Sequence, residues 1–279
     1  MILSLLVGCY SLDGFFFQPG TVEAYTLGGD VIPASCQELV SFDGEAGTLY
    51  GAWAHQPAVE GADCEDTVPN PDAPMVVYFH GNAANIDEYW PQVEFHWALG
   101  HEVFIVDYRG YGRSWGDPDF DGVIADGRAA VAHVEDRTGL DPTELVYVGL
   151  SLGGFVAVHL LEDAPPGVLI TEDMFANTQK MLNDGTDLDL PSGWFFTEHF
   201  DNLGPLRRMP PTIPTLVTHG AEDDYIQPEH AELVFAAAAA ETKELFLVPG
   251  VGHADAVADA PELYAPQIDC WVRQDCAEE

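Results

Sequence analysis

Residues 149–153, Gly-Leu-Ser-Leu-Gly, have the pattern G-x-S-x-G. Residues 145–148 are apolar and partly β-branched, which is typical of a buried strand, and residues 154–161 form a candidate helix. A tight turn between a strand and a helix strains the backbone of its serine and projects the hydroxyl, provided that small residues flank it. In this context Ser151 is predicted to be a nucleophile, although the pentapeptide alone also fits an ordinary turn.

A serine hydroxyl needs a base, and a histidine base needs a carboxylate to orient it. Among 10 histidines, His253 stands out because it follows a predicted strand through the glycine-containing loop 249–252. Asp223 lies on the loop that leaves the preceding predicted strand. The order Ser151, Asp223, His253, each shortly after a strand, predicts a catalytic triad for acyl transfer. Three other carboxylates remain open as the acid: Glu222, Asp224 and Asp173.

An acyl-transfer site also needs two N–H donors for the oxyanion that develops on the substrate. The backbone N–H of Leu152 is one candidate, since it directly follows the nucleophile. The backbone N–H of Asn82 is the second, in the loop 80–85 after the third predicted strand. His80 begins this loop and is interpreted as a structural residue that braces it.

These residues must be positioned by alternating strands and helices. A hairpin is predicted at 38–42 and 49–54, followed by an exposed loop at 57–74. The further predicted strands are 75–79, 103–107, 145–149, 168–171, 215–218 and 245–248, and the further predicted helices are 86–99, 123–137, 229–240 and 261–272. This alternation predicts an α/β fold with a mostly parallel central sheet and helices on both faces.

Residues 172–207 interrupt the alternation and are rich in aromatic side chains. They are predicted to form a small cap over Ser151, with a plain connection packed on the core as the alternative. The domain organisation is therefore a lead-in at 1–34 and one catalytic domain at 35–279.

The chain is strongly acidic, with 47 Asp and Glu against 9 Lys and Arg and a formal net charge of −38. This charge argues against nucleic acid and anionic bilayers as electrostatic partners. No metal site is expected, because the cysteines and histidines form no compact cluster. Residues 117–122 imitate the start of a calcium loop, but Arg128 stands where a bidentate glutamate is required.

The N-terminal residues 1–9 are apolar and end in Leu-Val-Gly-Cys, which resembles a bacterial lipobox. The prediction is export and attachment to the cell envelope through a lipid on Cys9, which tethers a protein to a membrane without spanning it. The segment lacks a basic region and is short for a signal peptide. The alternative is an apolar tail on a cytoplasmic protein.

Four further cysteines, Cys36, Cys64, Cys270 and Cys276, suit two disulfides in an oxidising compartment. Of the three possible pairings, Cys36–Cys64 and Cys270–Cys276 are favoured. Four free thiols in a cytosolic protein are the alternative.

The chain resembles the α/β-hydrolase superfamily, and within it the branch with an HGN-x-x-N oxyanion loop. That branch includes acyl-protein thioesterases, monoacyl-lipid lipases and serine aminopeptidase-like proteins. The matching segments are HGNAANI (80–86), DYRGYGRSWG (107–116), GLSLGG (149–154), FDNL (200–203), HGAEDDYI (219–226) and VPGVGHAD (248–255). Leu150 departs from the pattern, because many relatives have a polar or basic residue beside the serine.

The resemblance implies a serine hydrolase that uses Ser151, Asp223 and His253. We expect it to cleave carboxylic ester or thioester bonds of small-molecule or lipid substrates through an acyl-enzyme, without a metal or organic cofactor. A serine peptidase or aminopeptidase-like enzyme and a non-catalytic binding lipoprotein of this fold are the alternatives.

Overall fold

The computed structural model describes residues 16–28, 31–58, 64, 70–186 and 200–276. An eight-stranded sheet forms its centre, in the order β8-β7-β6-β5-β3-β4-β2-β1. Its strands are β1 (Gln37–Asp43), β2 (Thr48–Ala54), β3 (Met75–Phe79), β4 (Glu102–Asp107), β5 (Leu145–Leu150), β6 (Val168–Glu172), β7 (Thr215–Gly220) and β8 (Lys243–Val248). Strand β2 runs antiparallel to both of its neighbours, and the pairs from β4 to β8 are parallel. The predicted mostly parallel sheet is confirmed.

The central strands are buried on both faces, and their sequences are therefore continuous apolar runs in which polar and apolar residues do not alternate. In β3, Val77 and Phe79 face one hydrophobic cluster, whereas Val76 and Tyr78 face the other. A one-residue shift in register would exchange the two sets of side chains, so this packing fixes the register.

Helices cover both faces, as predicted. The helices are α1 (Ile86–Ala98), α2 (Phe120–Thr138), α3 (Leu152–His159), α4 (Thr178–Thr186), α5 (Leu203–Arg208), α6 (Glu229–Ala237), α7 (Ala256–Asp259) and α8 (Pro261–Arg273). Buried side chains of α2, α3, α5 and α6 join one cluster, and those of α1 and α8 join the other. Within the described ranges, no helix is long and apolar enough to cross a bilayer.

The segment that imitates a calcium loop starts a helix instead. Asp119 caps α2, because its Oδ1 accepts the N–H of Gly122 at 2.8 Å. The helix ends at Gly139, which has the left-handed φ of 75° that favours glycine at this position. Helix capping therefore accounts for Asp119 in the sequence pattern.

The lead-in residues 16–28 lie against the loop that follows β3. Two-residue strands, Gln18–Pro19 and Ala83–Ala84, pair in parallel. The side chain of Asn82 donates to the carbonyl of Phe16 and accepts the N–H of Gln18 at 3.3 Å. The lead-in thereby becomes a support of the predicted oxyanion loop. Cys9 lies outside the described residues.

The predicted cap at 172–207 is described only at its two ends. Phe175 and Phe200 are buried, and their ring centroids are 4.7 Å apart. The N–H of Asn202 donates to the carbonyl of Ala176 at 3.1 Å, so the two ends are joined at the core. Residues 187–199 lie outside the described part of the chain, and the cap remains a prediction.

The four cysteines form two disulfides, Cys36–Cys64 and Cys270–Cys276, with Cα–Cα distances of 4.9 and 4.7 Å. This is the pairing favoured from the sequence. The first disulfide joins the start of β1 to the loop after β2, and the second joins Cys270 near the end of α8 to Cys276, three residues beyond the helix.

Loss of the first disulfide is expected to cost more stability than loss of the second, because it closes the longer loop. The sequence separations are 28 and 6 residues. In the chain-entropy account, replacing both Cys36 and Cys64 by serine lowers the free energy of unfolding by about 3 to 4 kcal/mol, against about 2 kcal/mol for Cys270 and Cys276. Urea unfolding of both double variants measures the difference, and the reverse ranking would contradict it.

A buried carboxyl group links three elements of the core. Glu172, at the end of β6, accepts hydrogen bonds from the hydroxyls of Tyr78 (3.0 Å) in β3 and Tyr264 in α8. Burial raises the pKa of Glu172 from its ordinary value near 4.5 to about 7, although both hydroxyls oppose this shift. A raised pKa means that the folded protein holds this proton over a range where the unfolded chain has lost it.

Glu172 should therefore make the protein less stable as the pH rises from about 4.5 to 7. Its favourable contribution is complete below the unfolded pKa and is lost as the pH passes the folded value. Because one pKa unit corresponds to about 1.4 kcal/mol, the loss relative to Glu172→Gln is on the order of 3 kcal/mol. Parallel pH–stability curves of the wild type and the variant would disprove this assignment.

Candidate active site

Ser151 lies on the turn between β5 and α3 with φ 52° and ψ −108°, a region that non-glycine residues rarely adopt. Its N–H donates to the carbonyl of Glu172 at 2.8 Å, which ties the turn to the neighbouring strand. The residue is 6% exposed. The strained strand–turn–helix context predicted from the sequence is present.

The flanking glycines are required by close backbone contacts. A Cβ on Gly149 would lie 2.5 Å from the carbonyl oxygen of Gly153. A Cβ on Gly153 would lie 1.8 Å from the carbonyl oxygen of Phe79, at the end of β3. Both distances are far shorter than van der Waals contact, so no other residue fits either position without a backbone shift.

Asp223 and His253 are in direct contact. The Nδ1–H of His253 donates to Oδ2 of Asp223 at 2.7 Å. The other oxygen, Oδ1, accepts the N–H groups of Tyr225 (2.9 Å) and Ile226 (2.8 Å), so the carboxylate is fixed in orientation. The alternative acids Glu222 and Asp224 are exposed. Of the acids considered from the sequence, Asp223 is the one that hydrogen-bonds this imidazole.

Ser151 and His253 lie at the same edge of the sheet, since each follows the carboxyl end of a parallel strand, β5 and β8. The structure does not join them by a hydrogen bond: the Ser151 hydroxyl has no such partner among the described residues. Contacts between nucleophile and base are often long without substrate and tighten when it binds.

The two predicted oxyanion donors are both available. Within the described ranges, neither the N–H of Leu152 nor that of Asn82 donates a hydrogen bond. The hydroxyl of Tyr111 lies 2.9 Å from the carbonyl oxygen of Asn82 and 2.8 Å from its Oδ1, within hydrogen-bonding distance of both. The residue is thus held by its side chain and carbonyl, which leaves its N–H free.

His80 braces this loop from inside the core. Its ring is fully buried, its Nδ1–H donates to the carbonyl of Gly81 at 2.8 Å, and its Nε2 lies 3.1 Å from Asp107. The rings of Tyr89 and Tyr108 pack against it with centroids 5.0 and 4.5 Å away. These contacts support the structural interpretation of His80.

A second imidazole, that of His219, contacts the same oxygen of Asp223, and no sequence pattern points to this contact. Nε2 of His219 lies 3.2 Å from Oδ2 of Asp223 and 2.6 Å from the carbonyl oxygen of Ile226. Burial raises the pKa of Asp223, but the hydrogen bonds from His219 and His253 outweigh this effect and hold it well below its ordinary value. Asp223 is therefore ionised at neutral pH.

Asp173, the remaining alternative acid, makes contacts that differ from those of Asp223. Its carboxylate does not hydrogen-bond the His253 ring but accepts two backbone N–H groups, those of Gly220 and Ala254, each at 2.8 Å. Nδ1 of His219 lies 3.8 Å from Oδ1 of Asp173. Its position shortly after the predicted strand 168–171 is the sequence feature that made Asp173 a candidate acid.

Comparison with known proteins identifies the family. A family model described as alpha/beta hydrolase fold matches residues 74–169. The uncharacterised protein YfhR of Escherichia coli strain K12 is 30% identical, over 83% of this chain and 78% of that protein. The alpha/beta hydrolase domain-containing protein WAV2 of Arabidopsis thaliana is 32% identical, over 70% of this chain and 68% of that protein.

A solved structure has the same fold. The Pyrococcus furiosus esterase Pf2001 superposes with a TM-score of 0.72 and 18% sequence identity, over 94% of this chain and 98% of that one. The strand order, the strained turn at Ser151 and these matches lead to one conclusion: the chain belongs to the α/β-hydrolase fold family.

Proposed function

We propose that the protein is a serine hydrolase that cleaves carboxylic ester or thioester bonds through an acyl-enzyme on Ser151. The observation that carries the proposal is the Asp223–His253 hydrogen bond of 2.7 Å at the sheet edge that also holds Ser151 on its strained turn. A fixed carboxylate orients the imidazole and stabilises its charged form, which is what a general base for serine needs. The esterase description of the Pyrococcus furiosus structure is a further point in favour.

In the proposed mechanism, Nε2 of His253 takes the Ser151 hydroxyl proton as the oxygen attacks the substrate carbonyl. The tetrahedral oxyanion is stabilised by the N–H groups of Leu152 and Asn82. His253 then protonates the leaving alcohol or thiol, and the carbon–heteroatom bond breaks to leave the acyl group on Ser151. Water, deprotonated by the same imidazole, attacks the acyl-enzyme and releases the acid and the free serine.

We also propose that the protein works outside the cytoplasm. The two disulfides favour an oxidising compartment. A lipid on Cys9 would then keep the catalytic domain at a membrane surface, close to lipid acyl esters. This anchor rests on the lipobox-like sequence alone.

A fluorophosphonate probe should label the folded wild-type protein and leave Ser151→Ala unlabelled, because only the activated hydroxyl attacks the phosphorus. Ser114 provides a matched serine control, because it is also buried and its hydroxyl donates to the backbone carbonyl of Asp107 at 2.7 Å. Ser114→Ala should retain the label. Labelling of Ser151→Ala, or none of the wild type, would refute the proposed nucleophile.

The bond that is cleaved can be tested with p-nitrophenyl esters of increasing acyl length beside thioesters and aminoacyl amides. We expect ester and thioester hydrolysis with kcat/KM well above that for amides, and a loss of at least about 10³-fold in Ser151→Ala. A preference for aminoacyl amides would favour the peptidase alternative instead.

The lipid anchor can be tested by mass spectrometry of the protein recovered from membranes of the native host. We expect the mature chain to begin at Cys9 with diacylglycerol on its sulfur. Cys9→Ser should release the protein from the membrane fraction. An unmodified Cys9 in the mature protein would contradict the proposal.

A further inference from the structure

A single buried carboxylate connects the loop of the acid to the loop of the base. Asp173 directly follows β6, and its Oδ1 accepts the N–H of Gly220, the last residue of β7. Its Oδ2 accepts the N–H of Ala254, the residue after His253. Since Gly220 lies three residues before Asp223, the side chain of Asp173 bridges the two loops that carry the Asp223–His253 pair.

The backbone at this junction is held in uncommon conformations. Asp173 has φ 47° and Ala254 has φ 63°, both in the left-handed region that non-glycine residues rarely occupy. Such conformations persist only where the surrounding contacts hold them, and they concentrate at functional sites. The hydrogen bond between Asp173 and the Ala254 N–H joins these two residues directly.

Asp173 is also close enough to act through its charge. One oxygen of Asp173, one of Asp223 and a ring nitrogen of His253 all lie within 4.8 Å of one another. Asp173 is 4% exposed, so solvent screens its charge weakly. Two carboxylates next to one imidazole stabilise its protonated form more than one does.

The groups that surround Asp173 determine its own ionisation. Burial raises its pKa, whereas His219, the two N–H groups and His253 oppose that shift. The titratable groups of the elements packed around it are Glu172 of β6, His219 of β7, Asp223, His253, His230 of α6 and Tyr264 of α8. Burial lowers the pKa of His230 to about 4, so its ring carries no charge at neutral pH.

We propose that Asp173 is a positioning residue of this site: it holds the His253 loop against Asp223 and adds a second negative charge that stabilises the imidazolium. The catalytic consequence rests on the proposed function, in which His253 becomes protonated during attack. Among the described residues, Asp173 hydrogen-bonds neither the Ser151 hydroxyl nor the His253 ring, and it acts through the loop and the electric field at His253.

Asp173→Asn is the decisive variant, with Asp224→Asn as its control. Asparagine keeps one carbonyl acceptor, removes the charge and presents an amide donor to one of the two N–H groups. Asp224 is an exposed acid on the adjacent loop, so its variant makes the same charge change without the contacts. We expect kcat to fall roughly 10- to 100-fold in Asp173→Asn, with KM nearly unchanged, and neither to change in Asp224→Asn.

The pH dependence separates positioning with charge from simple destabilisation. Removing a negative charge beside the imidazole makes its protonated form less stable, so the acidic limb of the kcat/KM profile should move to lower pH. The midpoint of the His253 Cε1 signal in an NMR titration should move in the same direction. Lower activity with an unshifted limb and an unshifted NMR midpoint would overturn the proposal.

The NMR titration also separates this proposal from the proposed function. A wild type without esterase activity or probe labelling would refute the nucleophile, while the His253 midpoints of wild type and variant would still test Asp173. If Asp173→Asn does not fold, the wild type suffices: the Gly220 and Ala254 amide signals should titrate together, with a midpoint above the ordinary value for aspartate. Independent or absent titration of these two amides would overturn the proposal.

Discussion

The close contact between the start of α3 and the end of β3 is the constraint on which the rest of the site depends. The Phe79 carbonyl leaves no room for any side chain at Gly153. This contact lets α3 begin directly at Ser151 and forces the serine backbone to φ 52°. The same edge of the sheet also carries the loops after β3, β6, β7 and β8, so this contact keeps Ser151 at the same edge as the proposed oxyanion donors and the proposed base.

The charged groups near His253 are buried and lie apart from the acidic surface that gives the chain its net charge of −38. Asp223 faces two imidazoles and two backbone N–H groups, and Asp173 faces two further N–H groups. Every oxygen of both carboxylates has a hydrogen-bond or charge partner. Buried carboxylates need such partners to remain ionised, and here those partners also fix the loops.

Much of the fold was predictable because buried parallel strands and amphipathic helices leave strong local patterns, and all the main-sheet strands were located within two residues at each end. The G-x-S-x-G pattern and the order of acid and base also identified Ser151, Asp223 and His253 as candidates. The sequence could not identify the contact of His219 with Asp223, which depends on the conformation of the loop after β7, or the two hydrogen bonds that Asp173 accepts, which join segments that are far apart along the chain. The contact of the lead-in was equally unpredictable, because no sequence pattern at Gln18 or Pro19 indicates a strand that pairs with residues 83–84.

That pairing has a practical consequence for anyone preparing the protein. A shortened recombinant chain that starts at residue 35, where composition places the beginning of the domain, would remove Phe16 and Gln18 and leave both polar atoms of the Asn82 side chain without those partners. Such a product would keep the strands of the main sheet but lose the contacts that the lead-in makes with the proposed oxyanion loop. The hydrogen bonds show that the folded domain includes residues from Phe16 onward. A purification tag should therefore be placed before Phe16.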